Sequence, residues 1–202
     1  MVGPIAERRP ARVLDVATGT GAVAIELADR CDAQIVGCDL TDSMLRAGRR
    51  RVESAGLDHQ ISLTRARAEH LPFPDGAFDA LTFTYLLRYV EDPGATLAEL
   101  ARVLKPGAPM ASLDFLVPPS LPWRLAWWCY TRIVLPAAGW AAGGPPWWRV
   151  GRFLGPSITA HDRRYPVAWT VQAWEAAGMV DVHAKAMSLG GGLVMWGRRA
   201  GG

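Results

Sequence analysis

From Arg12 to Leu116, short apolar runs alternate with amphipathic stretches, and this alternation restricts the fold more than any other feature of the chain. RVLDVA (12–17) is an apolar run that ends at glycines, and QIVGCDL (34–40), ISLTRARA (61–68), FDALTFTY (78–85) and PMASLDFL (109–116) follow as further strands. Between them, Ala22 to Cys31 places Val23, Ile25 and Leu27 on one helical side. Asp42 or Ser43 can cap a helix running to about Ala55, where Gly56 stops it. Residues 94–104 carry Leu97, Leu100, Ala101 and Leu104 at helical spacing. Strand and helix in repetition call for parallel strands joined by right-handed crossovers, an open doubly wound α/β sheet. Such sheets bind ligands at the carboxyl ends of their strands, beside the first strand.

The second half has a different character. Residues 1–100 hold 11 Lys+Arg and 15 Asp+Glu, whereas residues 101–202 hold 11 Lys+Arg and 4 Asp+Glu, so the halves carry −4 and +7. All nine tryptophans lie in the basic half. Residues 117–165 are rich in Pro, Gly and Trp, and from Leu125 to Trp148 the only charge is Arg132. Pro136, Gly139, Gly143, Gly144, Pro145 and Pro146 argue against a membrane-spanning helix, so the segment reads as a lid or an interfacial element. Ala168–Ala177 is predicted helical, and VDVHAKAMS (180–188), three glycines and LVMWGR (193–198) read as a closing hairpin.

Composition excludes several classes. An apolar fraction of 50% excludes disorder for most of the chain. Cys31, Cys38 and Cys129 form no Cys-x-x-Cys pair and do not cluster with histidine, which points to core thiols in a reducing compartment and to no metal site. The N-terminus has no apolar signal-peptide core. No nucleic-acid methylation motif is present, and no nucleic-acid partner is expected.

The loop after the first strand carries the chemistry. Gly19 and Gly21 allow backbone to approach a ligand, and Asp39 ends the second strand, where a carboxylate can accept from both hydroxyls of a ribose. Gly19-x-Gly21-x-x-Ala24 also fits the dinucleotide fingerprint. Asp15, four residues before Gly19, adds a negative charge that a pyrophosphate would oppose. The ammonium and sulfonium of S-adenosylmethionine would welcome it, so Asp15 favours that cofactor over NAD. A bland alternative has Asp15 capping the loop's own amides.

VLDVATGTG, GCDLTDSML, AEHLPFPDGAFDA and RVLKPG, in that order and spacing, resemble class I S-adenosylmethionine-dependent methyltransferases. LLRYVEDP (86–93), RFLGPSI (152–158) and LGGGLVMWG (189–197) are most similar to segments of the ubiquinone/menaquinone-biosynthesis C-methyltransferases. The resemblance implies a mostly parallel, doubly wound, seven-stranded Rossmann-like sheet with a C-terminal antiparallel hairpin. It implies one domain over 1–202, with a cofactor half at 12–116, a lid at 117–165, and a helix and hairpin at 166–199. It further implies that Asp15, Ala17, Thr18, Gly19 and Gly21 hold the methionine end of the cofactor. Asp39 then takes the ribose, and Leu40, Met44, Arg67 and Ala68 surround the adenine. Two positions depart from the pattern: Arg67 replaces an acceptor side chain, and Tyr89 replaces the Asn that follows Arg88. The family also carries a helical leader ahead of the first strand, which begins here at Arg12.

The implied reaction is C-methylation of a hydrophobic quinol, a step of quinone biosynthesis. Such an acceptor needs a stabiliser for its phenolate and a base, and Arg88 and His161 are the candidates. The Trp-rich segment suits an isoprenoid tail. With Arg124, Arg132, Arg149 and Arg152 it also suits anionic headgroups, which places the protein in the cytoplasm, peripheral to the inner membrane face. The alternatives are O-, N- or C-methylation of another hydrophobic small molecule, a non-catalytic cofactor-binding module, and a nicotinamide dehydrogenase.

Overall fold

The computed structural model describes residue 5 and residues 8–201; residues 1–4, on which the N-terminal targeting reading partly rests, lie outside them. Elements follow in the order β1 (Arg12–Val16), α1 (Ala22–Ala28), β2 (Gln34–Asp39), α2 (Asp42–Ser54), β3 (Ile61–Arg65), β4 (Ala80–Thr84), α3 (Pro93–Arg102) and β5 (Pro109–Phe115). Next come α4 (Leu121–Cys129), a π-helical turn (Tyr130–Val134), α5 (Leu135–Gly143), α6 (Pro145–Arg164), α7 (Val167–Ala176), β6 (Met179–Met187) and β7 (Gly192–Arg199). The strands form a seven-stranded sheet in the order β3-β2-β1-β4-β5-β7-β6. The first five are parallel. Strand β7 runs antiparallel to β5, since Arg199 exchanges bonds with Gly107 and Ala108 while Leu116 donates to Gly191.

Periodicity misplaced some boundaries. Strand β3 stops at Arg65 rather than Ala68, because Arg67 turns back to bridge His70. The cap of α2 is Thr41, not Asp42 or Ser43; its N–H is taken by the carboxylate of Asp39. The segment 117–165, read as a break in the rhythm, is mostly helical.

The chain divides into two compact units. The first comprises Met1–Leu113, Val171–Ala184 and Val194–Gly202 and contains the core of the sheet. There β1 is buried along Val13–Val16, and Ile5, Ala24, Leu27, Ile35 and Ala80 pack into one apolar cluster. Trp174 is fully buried beside Phe83, with ring centroids 6.0 Å apart. Arg102 ties the first unit's loops together: its guanidinium reaches Glu99, Asp75 and the carbonyls of Leu71 and Phe73. The resemblance motifs around PFPDG and RVLKPG are therefore joined by a structural clamp.

The second unit comprises Asp114–Thr170 and Lys185–Leu193. Pro122, Pro136 and Pro145 each sit in a first turn, where helices tolerate proline, whereas Pro156 lies inside α6. Pro136 has no N–H for the carbonyl of Arg132, and the backbone widens into the π turn immediately before it. Helices α5 and α6 pack closely because glycines line their seam. A Cβ at Gly139 would come 2.7 Å from the Trp147 carbonyl oxygen, and one at Gly151 2.7 Å from Pro136 Cα. One at Gly155 would meet Thr131 at 2.7 Å.

Gly151→Ala forces backbone apart at this seam. We expect it to destabilise the helical unit by about 1–3 kcal/mol. Amide exchange should rise across residues 121–164 while β1, β2 and β4 keep their protection; unchanged exchange in the helices would contradict the packing described.

Candidate cofactor and acceptor site

Register brings the first carboxylate into place. Asp15 lies between Gly37 on β2 and Thr82 on β4. It is 1% exposed, and its carboxylate accepts from Thr18 Oγ1 at 2.6 Å and Thr82 Oγ1 at 2.8 Å. Gly37 makes room for this arrangement, since a Cβ there would lie 2.9 Å from Thr18 Oγ1 and 2.6 Å from Leu63 Cδ2. Burial pushes the Asp15 carboxyl up to about 6, against the opposing pull of its two hydroxyl donors, and the Asp39 charge adds to the rise. Burial and the charge of Asp15 likewise push the Cys38 thiol up to about 12, so this thiol carries no nucleophilic role near neutrality.

The loop above Asp15 runs through left-handed backbone at Ala17 (φ 56°), Gly19 (φ 56°) and Gly21 (φ 77°). Thr18 N–H donates to the Cys38 carbonyl, anchoring the loop across β2. Asp39 fastens the other side: Oδ2 accepts from Gly19 N–H at 2.9 Å and Oδ1 from Thr41 N–H at 2.8 Å. One carboxylate therefore links the glycine loop to the start of α2. Gly48 lets α2 approach that loop, with a built Cβ 3.5 Å from the Gly19 carbonyl oxygen.

The surroundings suit an adenosyl group. A Cβ at Gly19 would meet nothing within 4 Å, so the space over the loop is open. Each Asp39 oxygen accepts one of these hydrogen bonds and, as a carboxylate oxygen, has capacity for a second. Leu40 and Met44, at 50% and 46% exposure, offer apolar surface beyond Asp39. Ala68 is buried, and Arg67 points its guanidinium toward Glu69 at 3.5 Å. Thus the ten cofactor candidates gather in the first unit, but they differ in kind. Asp39, Gly19, Leu40 and Met44 face open space or solvent, whereas Asp15 is spent on hydroxyls behind the loop.

Three residues of the site escape the sequence reading. Thr82 was lost in an apolar strand, although a hydroxyl at the register position opposite Asp15 is its one signal. Gly37 and Gly48 carried no local signal, since their need for a missing Cβ comes from Leu63 and the loop.

The acceptor candidates fall in different units. Arg88, after β4, lies over the Tyr89 ring at 4.5 Å and donates Nη2–H to its hydroxyl at 2.9 Å. Tyr89, the departure from the family pattern, is therefore Arg88's stacking partner. Asp92 caps α3 by accepting from Ala95 N–H. His161 belongs to the second unit, on the last turns of α6, with its ring 5.2 Å from that of Tyr165.

A model of the ubiE/COQ5 methyltransferase family matches residues 2–197. The chain belongs to this family. It is 36% identical over 194 residues to the demethylmenaquinone methyltransferase of Thermus thermophilus, covering 96% of this chain and 84% of that protein. It is 38% identical over 156 residues to the ubiquinone/menaquinone biosynthesis C-methyltransferase UbiE of Serratia proteamaculans, covering 76% of this chain and 61% of that protein. A SAM-dependent methyltransferase from Aquifex aeolicus shares the fold with a TM-score of 0.64 at 19% identity, over 93% of this chain and 81% of that one.

The buried Asp15 sets a pH dependence with a definite sign. Its folded carboxyl holds a proton more tightly than an unfolded one, whose pKa is near 3.8. Its contribution to stability is complete below about pH 4 and is lost as pH rises to about 6. Relative to Asp15→Asn, the wild type should lose about 2 kcal/mol of unfolding free energy between pH 4 and 7. Denaturant titrations of both proteins at each pH check this; a constant difference would show that Asp15 is not desolvated.

Proposed function

We propose that this chain transfers the methyl group of S-adenosylmethionine to a ring carbon of a hydrophobic quinol of the demethylmenaquinol type. The observation that carries the cofactor half is the Asp39 carboxylate, which holds Gly19 and Thr41 and keeps capacity for two ribose hydroxyls. Family membership and the names of the relatives support the acceptor class. When bound, S-adenosylmethionine supplies an electrophilic methyl group on sulfur.

The residues then divide the work. The backbone of Ala17, Thr18, Gly19 and Gly21 cradles the amino-acid end, held in shape from behind by Asp15. Asp39 orients the ribose, Leu40 and Met44 pack on the adenine, and the Ala68 backbone and the exposed Arg67 form its rim. A quinol carbon becomes nucleophilic when a phenolic proton leaves. We assign Arg88 to stabilise the resulting phenolate and His161 to accept the proton. Alignment of acceptor and cofactor contributes the rest. In this reading the helical unit, with its tryptophans and arginines, meets the cytoplasmic face of a membrane in which a lipid-tailed acceptor resides.

The first test is calorimetric titration of S-adenosylmethionine into the wild type and Asp39→Ala, with binding expected in the wild type alone. Labelled methyl transfer to a short-chain demethylmenaquinol should follow, and Arg88→Gln should lower kcat by about 10²-fold at unchanged cofactor affinity. Transfer to other phenols but not to the quinol would favour the alternative small-molecule reading; cofactor binding without any transfer would leave a binding module.

A further inference from the structure

The turn between β6 and β7 is built against its own backbone preference. Ser188 (φ 51°) and Leu189 (φ 58°) are consecutive non-glycine residues in the left-handed region, followed by Gly190 (φ 92°). A side chain with a Cβ is disfavoured there, most of all one without a polar group to bond the local backbone. Leu189 is nevertheless 66% exposed, and Met187 beside it is 46% exposed. Folding alone would place Asn or Gly at position 189. A strained residue that presents an apolar side chain to solvent points to a contact made outside the chain.

The neighbourhood defines that contact. The turn lies against α4: a Cβ on Gly191 would come 3.4 Å from the Trp127 ring, and one on Gly190 3.3 Å from Pro118 Cα. Trp123, one helical turn before Trp127, is 47% exposed, and Tyr130, whose ring centre is 6.4 Å from that of Trp127, is 48% exposed. The patch thus joins the hairpin tip to one side of α4 within a single compact unit. Arg124, on α4 between Trp123 and Trp127, is exposed, as are Arg132, Arg149 and Arg152 elsewhere in the unit; its acidic residues are Asp114 and Asp162, the latter's carboxylate accepting from Val117 N–H beside Pro118. No helix of the described residues is long and apolar enough to cross a membrane. Indoles and a tyrosine with arginines and unpaired aliphatic tips match the headgroup boundary of an anionic bilayer.

We propose that Leu189 is a membrane anchor: the β6–β7 turn inserts Met187 and Leu189 into an anionic bilayer beside the aromatic face of α4. The proposal refines the membrane contact suggested above by adding a hairpin tip to the helices. It rests on the reading that the acceptor is lipid-borne.

The test is sedimentation of the full chain with vesicles of phosphatidylcholine, with or without phosphatidylglycerol. Binding is expected on the anionic vesicles and should weaken with salt. Leu189→Asn, which suits left-handed backbone, should keep or raise the melting temperature while lowering vesicle partition about tenfold. Arg124→Glu should weaken binding to anionic vesicles only. Unchanged partition of Leu189→Asn overturns the proposal, as does equal binding of the wild type to both vesicle types. Methyl transfer to a short-chain, water-soluble quinol without vesicles separates the two readings. If the wild type lacks it but binds vesicles through Leu189, the acceptor assignment fails and the anchor stands; if both proteins retain it equally and partition differs, both stand.

Discussion

A buried carboxylate organises the ligand-binding end of this sheet. Asp15 sits between two strands, out of water, and bonds the hydroxyls of Thr18 and Thr82. Burying a charge is unfavourable unless donors replace water, so the loop hydroxyl is drawn down onto β1 and cannot readily leave. The glycine loop is held by this bond from below and by Asp39 from the side. The two acids divide their tasks by environment, one fixing the loop and the other keeping lone pairs toward the open space above it.

The second unit solves a different problem. Its helices contain residues that disfavour helices, and most are placed where the defect costs little. Pro122, Pro136 and Pro145 open helices, although Pro156 lies within α6; glycines at 139 and 151 sit where two backbones nearly touch, and Gly155 makes room for the Thr131 side chain. Such close approach removes the helical seam from competition for large side chains. The tryptophans can then occupy outer faces: Trp123, Trp128, Trp140 and Trp147 are each about half exposed. That distribution is the reverse of an ordinary core and accounts for a segment so apolar yet so poorly buried.

Legibility followed the range of the interactions involved. The strands and helices up to residue 116 were readable because periodicity is a property of neighbours along the chain. Gly19, Gly21 and Asp39 were readable because a sharp strand-to-helix turn and a carboxylate at the next strand end follow from spacing alone. The boundary at Arg65 and the cap at Thr41 were not, since a return bridge and a carboxylate two residues earlier decided them. The helices of 117–165 were hidden for a similar reason. Proline and glycine read locally as breakers, and only the partner helix shows that they mark first turns and contact points.

Sequence alone determined the alternation of the elements, the glycine loop, Asp39 at its far side, the basic aromatic half and the family to which these belong. Tertiary structure decided what the residues do there. Register set Asp15 opposite Thr82 and Gly37, where it is buried and braces the loop through two hydroxyls. Stacking joined Arg88 to Tyr89, and a left-handed turn left Leu189 in solvent. Periodicity and turn preference act over a few residues and can be read from a string. Desolvation, close backbone approach and cross-strand pairing depend on residues far apart in the chain, 67 positions for Asp15 and Thr82, and they come into being only when the chain has folded.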